Sequence, residues 1–136
     1  LRTSKTPVLP GFLFWVAAWQ TARSDGMNYT LMVVQGPDAG RAPFRALRFA
    51  RALVQSGHRL NRVFFFGPGV RIGLNWEGAQ LADWQELACG ISAELILCSA
   101  SAERWGIDTA PSGFTIAGLG TLMESGMDSD RVLTFA

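Results

Sequence analysis

The chain has 136 residues and a net charge of +1 at pH 7, with 49% hydrophobic and 17% charged residues. This composition excludes a disordered chain, because enough apolar side chains are present to form a packed core. The length suits a single domain. The near-zero net charge excludes a general electrostatic attraction to nucleic acid or to anionic membranes.

The first 26 residues differ from the rest of the sequence. Arg2 and Lys5 precede an apolar run over residues 7–19, which contains two prolines and is shorter than the roughly 20 residues that span a bilayer. An export signal is an alternative, although no clear cleavage site follows the run. Because Met27 stands directly before a predicted strand, we expect residues 1–26 to be an N-terminal extension or a packing helix, and residues 27–136 to form the domain.

Beyond Met27, strands and helices alternate, which predicts a mostly parallel sheet with helices on its faces. Strands are predicted over residues 28–34, 60–66, 93–98, 114–117 and 131–135. Helices are predicted over residues 41–55, 76–88 and 99–105 and from 118 to about 124, with Gly90 as the stop of the second helix. The predicted fold is therefore a three-layer α/β sandwich with a central, mostly parallel five-stranded sheet.

Glycine-rich loops at residues 36–40, 67–69 and 118–120 adjoin the predicted strands. Such loops can bind phosphate through backbone N–H groups. Neither a dinucleotide fingerprint nor a P-loop is present, so glycines that simply turn the chain are the favoured interpretation. A flavin- or nucleotide-binding protein remains an alternative.

Arg41, Arg45, Arg48 and Arg51 recur at spacings that place them on one face of the first predicted helix. A solvated face is the ordinary interpretation, and a docking surface for an acidic protein or RNA phosphate is the alternative. His58 lies in a predicted turn, and we interpret it as a surface residue rather than a general base.

The two cysteines, Cys89 and Cys98, do not have the spacing of a zinc site, and with one histidine we expect no metal, no cofactor and a reducing compartment. Cys89 lies near a helix end, where a free cysteine usually acts as a small core hydrophobe. Cys98 ends a strand at the start of a helix, whose N–H groups favour the nucleophilic thiolate. With a strand order 2-1-3-4-5, Cys98 and loop 36–40 would share one crevice. Position alone leaves an inert buried thiol as an equal alternative.

Several short segments between residues 27 and 135 carry a family resemblance. They are V-V-Q-G-P at 33–37, F-A-R-A-L at 49–53, G-H at 57–58, V-F-F-F at 63–66, G-V at 69–70, L-C at 97–98 with Arg104 and Gly106, G-F-T-I-A-G-L-G at 113–120 and D-R-V at 130–132. In this order the segments resemble the DsrE/TusD family of sulfur-relay proteins. The resemblance implies a flavodoxin-like, DsrE-like α/β subunit.

The resemblance also implies a sulfurtransferase that carries sulfane sulfur as a persulfide on Cys98 and passes it to a partner's cysteine. The pathway would be tRNA 2-thiouridine synthesis or dissimilatory sulfur oxidation in the cytoplasm. Implied partners are TusB- and TusC-like or DsrF- and DsrH-like subunits in a heterohexamer, a sulfur-donor protein and a TusE- or DsrC-like acceptor, with tRNA involved only indirectly and neither DNA nor membrane bound. Such transfer requires an accessible Cys98 thiolate but no general base. A structural subunit that carries no sulfur is the alternative.

Overall fold

The computed structural model describes residues 26–74 and 80–136. The strands are β1 Asn28–Val33, β2 Arg59–Phe65, β3 Glu94–Cys98, β4 Phe114–Ala117 and β5 Arg131–Phe135. The helices are α1 Ala42–Gln55, α2 Gln80–Ile91, α3 Ser99–Arg104 and α4 Leu119–Asp128, and a 3-10 helix, Gly67–Gly73, follows β2 where a loop was expected. Residues 1–25, which make up almost all of the predicted extension, and residues 76–79 of the second predicted helix lie outside the described part of the chain.

All strand pairings in the sheet are parallel, and the strand order is β4-β3-β2-β1-β5. The predicted five-stranded parallel sheet is confirmed, but the order 2-1-3-4-5 is wrong. That order would place β2 at an edge of the sheet. Val63, Phe64 and Phe65 are each fully buried, and a strand that is apolar on both faces is more stable in the centre. Consequently β2 separates β1 from β3.

Helices α1 and α2 cover one face of the sheet. Phe49 of α1 contacts Tyr29 with 6.1 Å between ring centroids, and Trp84 of α2 contacts Phe65 at 5.6 Å. Trp84 and Phe65 are both fully buried, so large aromatic side chains form part of the packed core that the composition predicts.

Helix α4 lies on the opposite face, where polar contacts hold its C-terminal half. Thr30 Oγ1 shares a hydrogen bond of 2.6 Å with Ser129 Oγ, just beyond the helix end. The Arg62 guanidinium donates to Ser125 Oγ at 3.3 Å and to Asp128 Oδ2 at 3.2 Å. No helix in the described part of the chain is long and apolar enough to cross a membrane.

Arg62 links α4 to β3 as well, since its Nε donates to Glu94 Oε1 at 2.6 Å. Burial disfavours the charged guanidinium, but its hydrogen bonds to Glu94 and Asp128 outweigh this effect and raise the pKa of Arg62. The charge of Arg62 is therefore retained throughout the accessible pH range.

We expect Arg62→Met to lower the free energy of unfolding by about 1–2 kcal/mol. The Arg62 side chain is 19% exposed, whereas those of Glu94 and Asp128 are 59% and 52% exposed and can be rehydrated, which limits the loss. Urea denaturation measures the change. Arg48→Met, on the exposed face of α1, is the matched control and should change stability by less than about 0.5 kcal/mol. Equal effects of the two substitutions would contradict a structural role for this network.

Two helices extend beyond their predicted ends. Helix α4 continues to Asp128 rather than to about residue 124, and α2 continues through Gly90 to Ile91, so Gly90 is not its stop. Ser92 adopts the left-handed conformation, with φ of 58°, and the Ala93 N–H donates to the Ala88 carbonyl at 3.3 Å. Ser92 thus takes the helix-terminating position that usually belongs to glycine.

Because Ser92 has a positive φ, we expect Ser92→Gly to raise the free energy of unfolding by about 0.5–1 kcal/mol. Thermal unfolding followed by circular dichroism checks this prediction. Ser56→Gly provides the control, because Ser56 follows α1 with an ordinary φ of −86°. Stabilisation by both substitutions, or by neither, would show that the Ser92 backbone is not strained.

Candidate functional site

Cys98 is the last residue of β3, and α3 begins at the next residue with Cys98 as its N-cap. Alternate residues of a strand face the same side of a sheet, so Cys98 shares the face of Ile96 and Glu94. Glu94 contacts Arg62, which in turn bonds to α4. The Cys98 side chain therefore lies on the α4 face of the sheet, at the carboxyl edge.

The Cys98 side chain is 0% exposed and belongs to the hydrophobic core. Its position at the strand end agrees with the sequence-based prediction. Its burial does not meet the accessibility that sulfur transfer requires, because a partner's sulfur atom must come into contact with Sγ. In the conformation described here, neighbouring atoms must move before Cys98 can react.

The start of α4 lies next to Cys98. In the β3–β4 ladder Cys98 pairs with Ala117, and the next residue, Gly118, is the N-cap of α4. A Cβ atom built on Gly118 would lie 3.6 Å from Ser99 Oγ, so the first residues of α3 and α4 are neighbours. The N-terminal ends of both helices carry partial positive charge, which favours an anion between them. Helix α4 has ten residues and α3 has six, so α4 contributes the larger part of this partial positive charge.

The 3-10 helix Gly67–Gly73 packs against the end of β3 and the start of α3. The Gly67 N–H donates to Ser101 Oγ of α3 at 2.9 Å. A Cβ atom on Gly73 would lie only 2.8 Å from Leu97 Cδ1, so the backbone packs tightly against the residue before Cys98. These contacts fix the strand end that carries the thiol.

Arg71 of the 3-10 helix connects two further segments of the carboxyl edge. It forms an ion pair with Asp38, in the loop after β1, and its guanidinium lies 4.9 Å from the ring centroid of Trp105, at the end of α3. None of these three residues was predicted as a site residue from the sequence. They lie more than 30 positions apart, and the one common signal is that each follows a strand end, where α/β proteins place functional side chains.

Loop 36–40 does not share a crevice with Cys98, contrary to the expectation from order 2-1-3-4-5. Because β2 lies between β1 and β3, the two strand ends are roughly 10 Å apart, two strand spacings. The 3-10 helix after β2 occupies the intervening edge, and a Cβ on Gly36 would lie 3.0 Å from the Pro68 carbonyl oxygen. The loop packs against that helix rather than facing the thiol.

Cys89 and His58 both differ from their predicted roles. Cys89 is exposed, so its assignment to the core is wrong.

His58 is half-buried rather than at the surface. Its Nδ1 accepts the Met27 N–H at 3.1 Å, and its ring contacts that of Tyr29 with 5.5 Å between ring centroids. His58 thus helps to hold the start of β1, far from the carboxyl edge.

The arginine stripe on α1 is exposed, as its spacing predicts. All four arginines are exposed, whereas the opposite side of α1 is buried. The guanidinium of Arg51 forms an ion pair with the Asp83 carboxylate of α2, with 3.9 Å between nitrogen and oxygen. The guanidinium of Arg45 donates to the Ala136 carbonyl at 3.3 Å. A docking role for this face remains a prediction.

Nearly the whole described part of the chain matches known proteins. Residues 27–135 match the family model described as the DsrE/DsrF-like family. The chain belongs to this family. The predicted resemblance and the α/β sandwich are thus confirmed.

Curated proteins and solved structures resemble most of this chain. Sulfurtransferase TusD of Sodalis glossinidius is 33% identical, in an alignment that covers 80% of this chain and 98% of the relative. The sulfurtransferase TusD homolog of Vibrio cholerae is 37% identical, with 80% and 98% covered. The crystal structure of the ychN protein from E. coli superposes with a TM-score of 0.69 at 27% identity, and covers 80% of this chain and 99% of the other.

Proposed function

We propose that this chain is a sulfurtransferase that accepts sulfane sulfur on Cys98 and passes it to a cysteine of a partner protein. The observation that carries the proposal is the position of Cys98 at the end of β3, beside the N-terminal ends of α3 and α4. Similarity to proteins named sulfurtransferase TusD supports the same activity.

The reaction needs only thiolate chemistry. The Cys98 thiolate attacks the terminal sulfur of a donor persulfide; a new S–S bond forms at Sγ while the donor's S–S bond breaks, and the electron pair leaves on the donor thiolate. The acceptor's thiolate then attacks the terminal sulfur of the Cys98 persulfide, and Cys98 leaves as a thiolate. Atoms and electrons balance without an oxidant, reductant or general base.

The surroundings of Cys98 suit a persulfide that must persist between two transfers. The partial positive charges of the α3 and α4 N-termini favour the anionic terminal sulfur. In the closed conformation, burial of Cys98 limits the access of water and small thiols, which would otherwise reduce the S–S bond.

The proposal includes partners and a location. The chain would act in the cytoplasm within a heterohexamer of TusB- and TusC-like or DsrF- and DsrH-like subunits. A donor protein would load Cys98, and a TusE- or DsrC-like protein would accept the sulfur, for tRNA thiolation or sulfur oxidation. Contact with tRNA would be indirect, and neither DNA nor a membrane would be bound.

Complete burial of Cys98 favours one alternative function, a structural subunit that assembles such a complex without carrying sulfur. Under this alternative, Cys98 takes up no sulfur under native conditions. Sulfur loading of Cys98 distinguishes the two functions.

The test is to treat the protein with inorganic polysulfide, remove the excess and map adducts by mass spectrometry. We expect about 32 Da of added mass on the Cys98 peptide. Cys89 is exposed and can react without specificity, so Cys89→Ser is the reference protein. An unmodified Cys98 in that protein, under conditions that load a control thiol, would support the structural subunit instead.

A further inference from the structure

The chemistry proposed for Cys98 demands that the structure open, since the thiol is 0% exposed. We propose that the first turn of α4, residues 118–121, is the segment that opens. Gly120 is then a positioning residue that determines the equilibrium between the open and the closed turn. This inference rests on the proposed function and adds a conformational step to it.

The location of α4 favours this segment. Helix α4 lies on the sheet face to which the Cys98 side chain is directed, as its contacts with Arg62 and Thr30 on that face show. It begins at Gly118, one residue beyond Ala117, the ladder partner of Cys98. Because the first turn begins beside the ladder partner of Cys98, its displacement would open the carboxyl edge next to the thiol and leave the strand pairings intact.

The two ends of α4 are held very differently. The C-terminal end is anchored by Arg62, which bonds to Ser125 and Asp128, and by the hydrogen bond between Thr30 and Ser129. The N-terminal end has no side-chain cap, and residues 118–120 are exposed. A helix fixed at one end frays at the other, and here the free end is the one next to Cys98.

Gly120 has no structural reason to be glycine. A Cβ atom built on it would meet no heavy atom within 4 Å, and its φ lies outside the left-handed region. Glycine instead weakens the helical turn relative to alanine, by a factor of roughly five in the local equilibrium. Gly120 thus keeps the turn that borders Cys98 easy to open. Gly126, in the same helix but at the anchored end, also meets nothing within 4 Å and provides a matched control.

The test measures the alkylation rate of Cys98 by iodoacetamide in the folded, full-length Cys89→Ser protein. We expect Gly120→Ala to slow alkylation about three- to five-fold, because the closed turn becomes more stable. Gly118→Ala should accelerate it several-fold, because alanine is a much poorer N-cap than glycine. Gly126→Ala should raise the melting temperature as Gly120→Ala does, but leave the alkylation rate unchanged within two-fold.

Equal slowing by Gly120→Ala and Gly126→Ala would overturn the proposal, because opening would then involve the whole helix or the whole fold. Unchanged rates in all three variants would also overturn it, because the thiol would be reached by another route. Alkylation does not depend on sulfur loading. If Cys98 never takes up sulfur while the three alkylation rates follow the expected pattern, the proposed function fails and the opening of α4 stands. If Cys98 takes up sulfur normally but Gly120→Ala does not change the alkylation rate, the proposed function stands and the opening of α4 fails.

Discussion

Replacing Cys98 with serine should lower the rate of sulfur transfer through this chain by about a thousand-fold or more, since the side chain that forms the covalent intermediate is lost. Serine has nearly the same shape, but its hydroxyl cannot form a persulfide. The assay uses glutathione persulfide as donor and cyanide as acceptor, and it follows the thiocyanate released. Because Cys98 is completely buried, circular dichroism of the variant must first establish that the fold is retained.

Cys89→Ser is the matched control for this loss. Cys89 is exposed at the end of α2, away from the carboxyl edge of the sheet, and its replacement should leave the rate within two-fold of the original. A Cys98→Ser protein that is folded and still transfers sulfur at the original rate would exclude Cys98 as the carrier. Loss of transfer in Cys89→Ser alone would assign the role to the exposed thiol.

Gly69→Ala should be the most destabilising of the glycine substitutions considered, at roughly 3 kcal/mol of unfolding free energy. A Cβ atom at Gly69 would overlap the Val33 carbonyl oxygen and lie 3.0 Å from the Val33 carbonyl carbon. Both are backbone atoms of β1, in the interior of the sheet, so no side-chain rotation relieves the contact. Urea denaturation measures the loss.

Gly90→Ala is the control for this substitution. Gly90 lies within α2 and its Cβ would meet nothing within 4 Å, so alanine should stabilise the protein by about 0.5–1 kcal/mol. The 3-10 helix that contains Gly69 also holds Ser101 and Leu97, so we expect Gly69→Ala to increase the reactivity of Cys98 as well. Equal stability of the two variants would show that the approach of Gly69 to β1 is not tight.

The elements of this fold could be predicted because their signals are local. The predicted strand boundaries lie within one residue of the observed ones. The apolar run at the end of β2 and the glycines between elements mark these boundaries, and the proline near the start of α1 marks the beginning of that helix. Strand order depends on contacts between distant segments, but a β2 that is apolar on both faces argues against the edge position that the predicted order 2-1-3-4-5 gives it. With that argument, the central position of β2 could have been predicted.

The candidate site was predictable only in part. The position of Cys98 at a strand end follows from local pattern, but its complete burial depends on packing between segments that are distant in the sequence, which no local pattern records. Cys89 was misassigned because its helical phase was not considered: Trp84 and Ala88 form the buried side of α2, and the residue after Ala88 turns about 100° away, toward solvent. The contacts among Asp38, Arg71 and Trp105 have no local sequence signal.

The central claim, that Cys98 carries sulfur, is tested most directly by the state of the thiol in cells that produce the full chain. Lysis in denaturant with excess iodoacetamide traps thiols and persulfides, and mass spectrometry then compares the Cys98 and Cys89 peptides. We expect a fraction of the Cys98 peptide to be about 32 Da heavier than its alkylated thiol form, and the Cys89 peptide to carry no such addition. A Cys98 peptide found only as the alkylated thiol, or added sulfur confined to Cys89, would contradict the account.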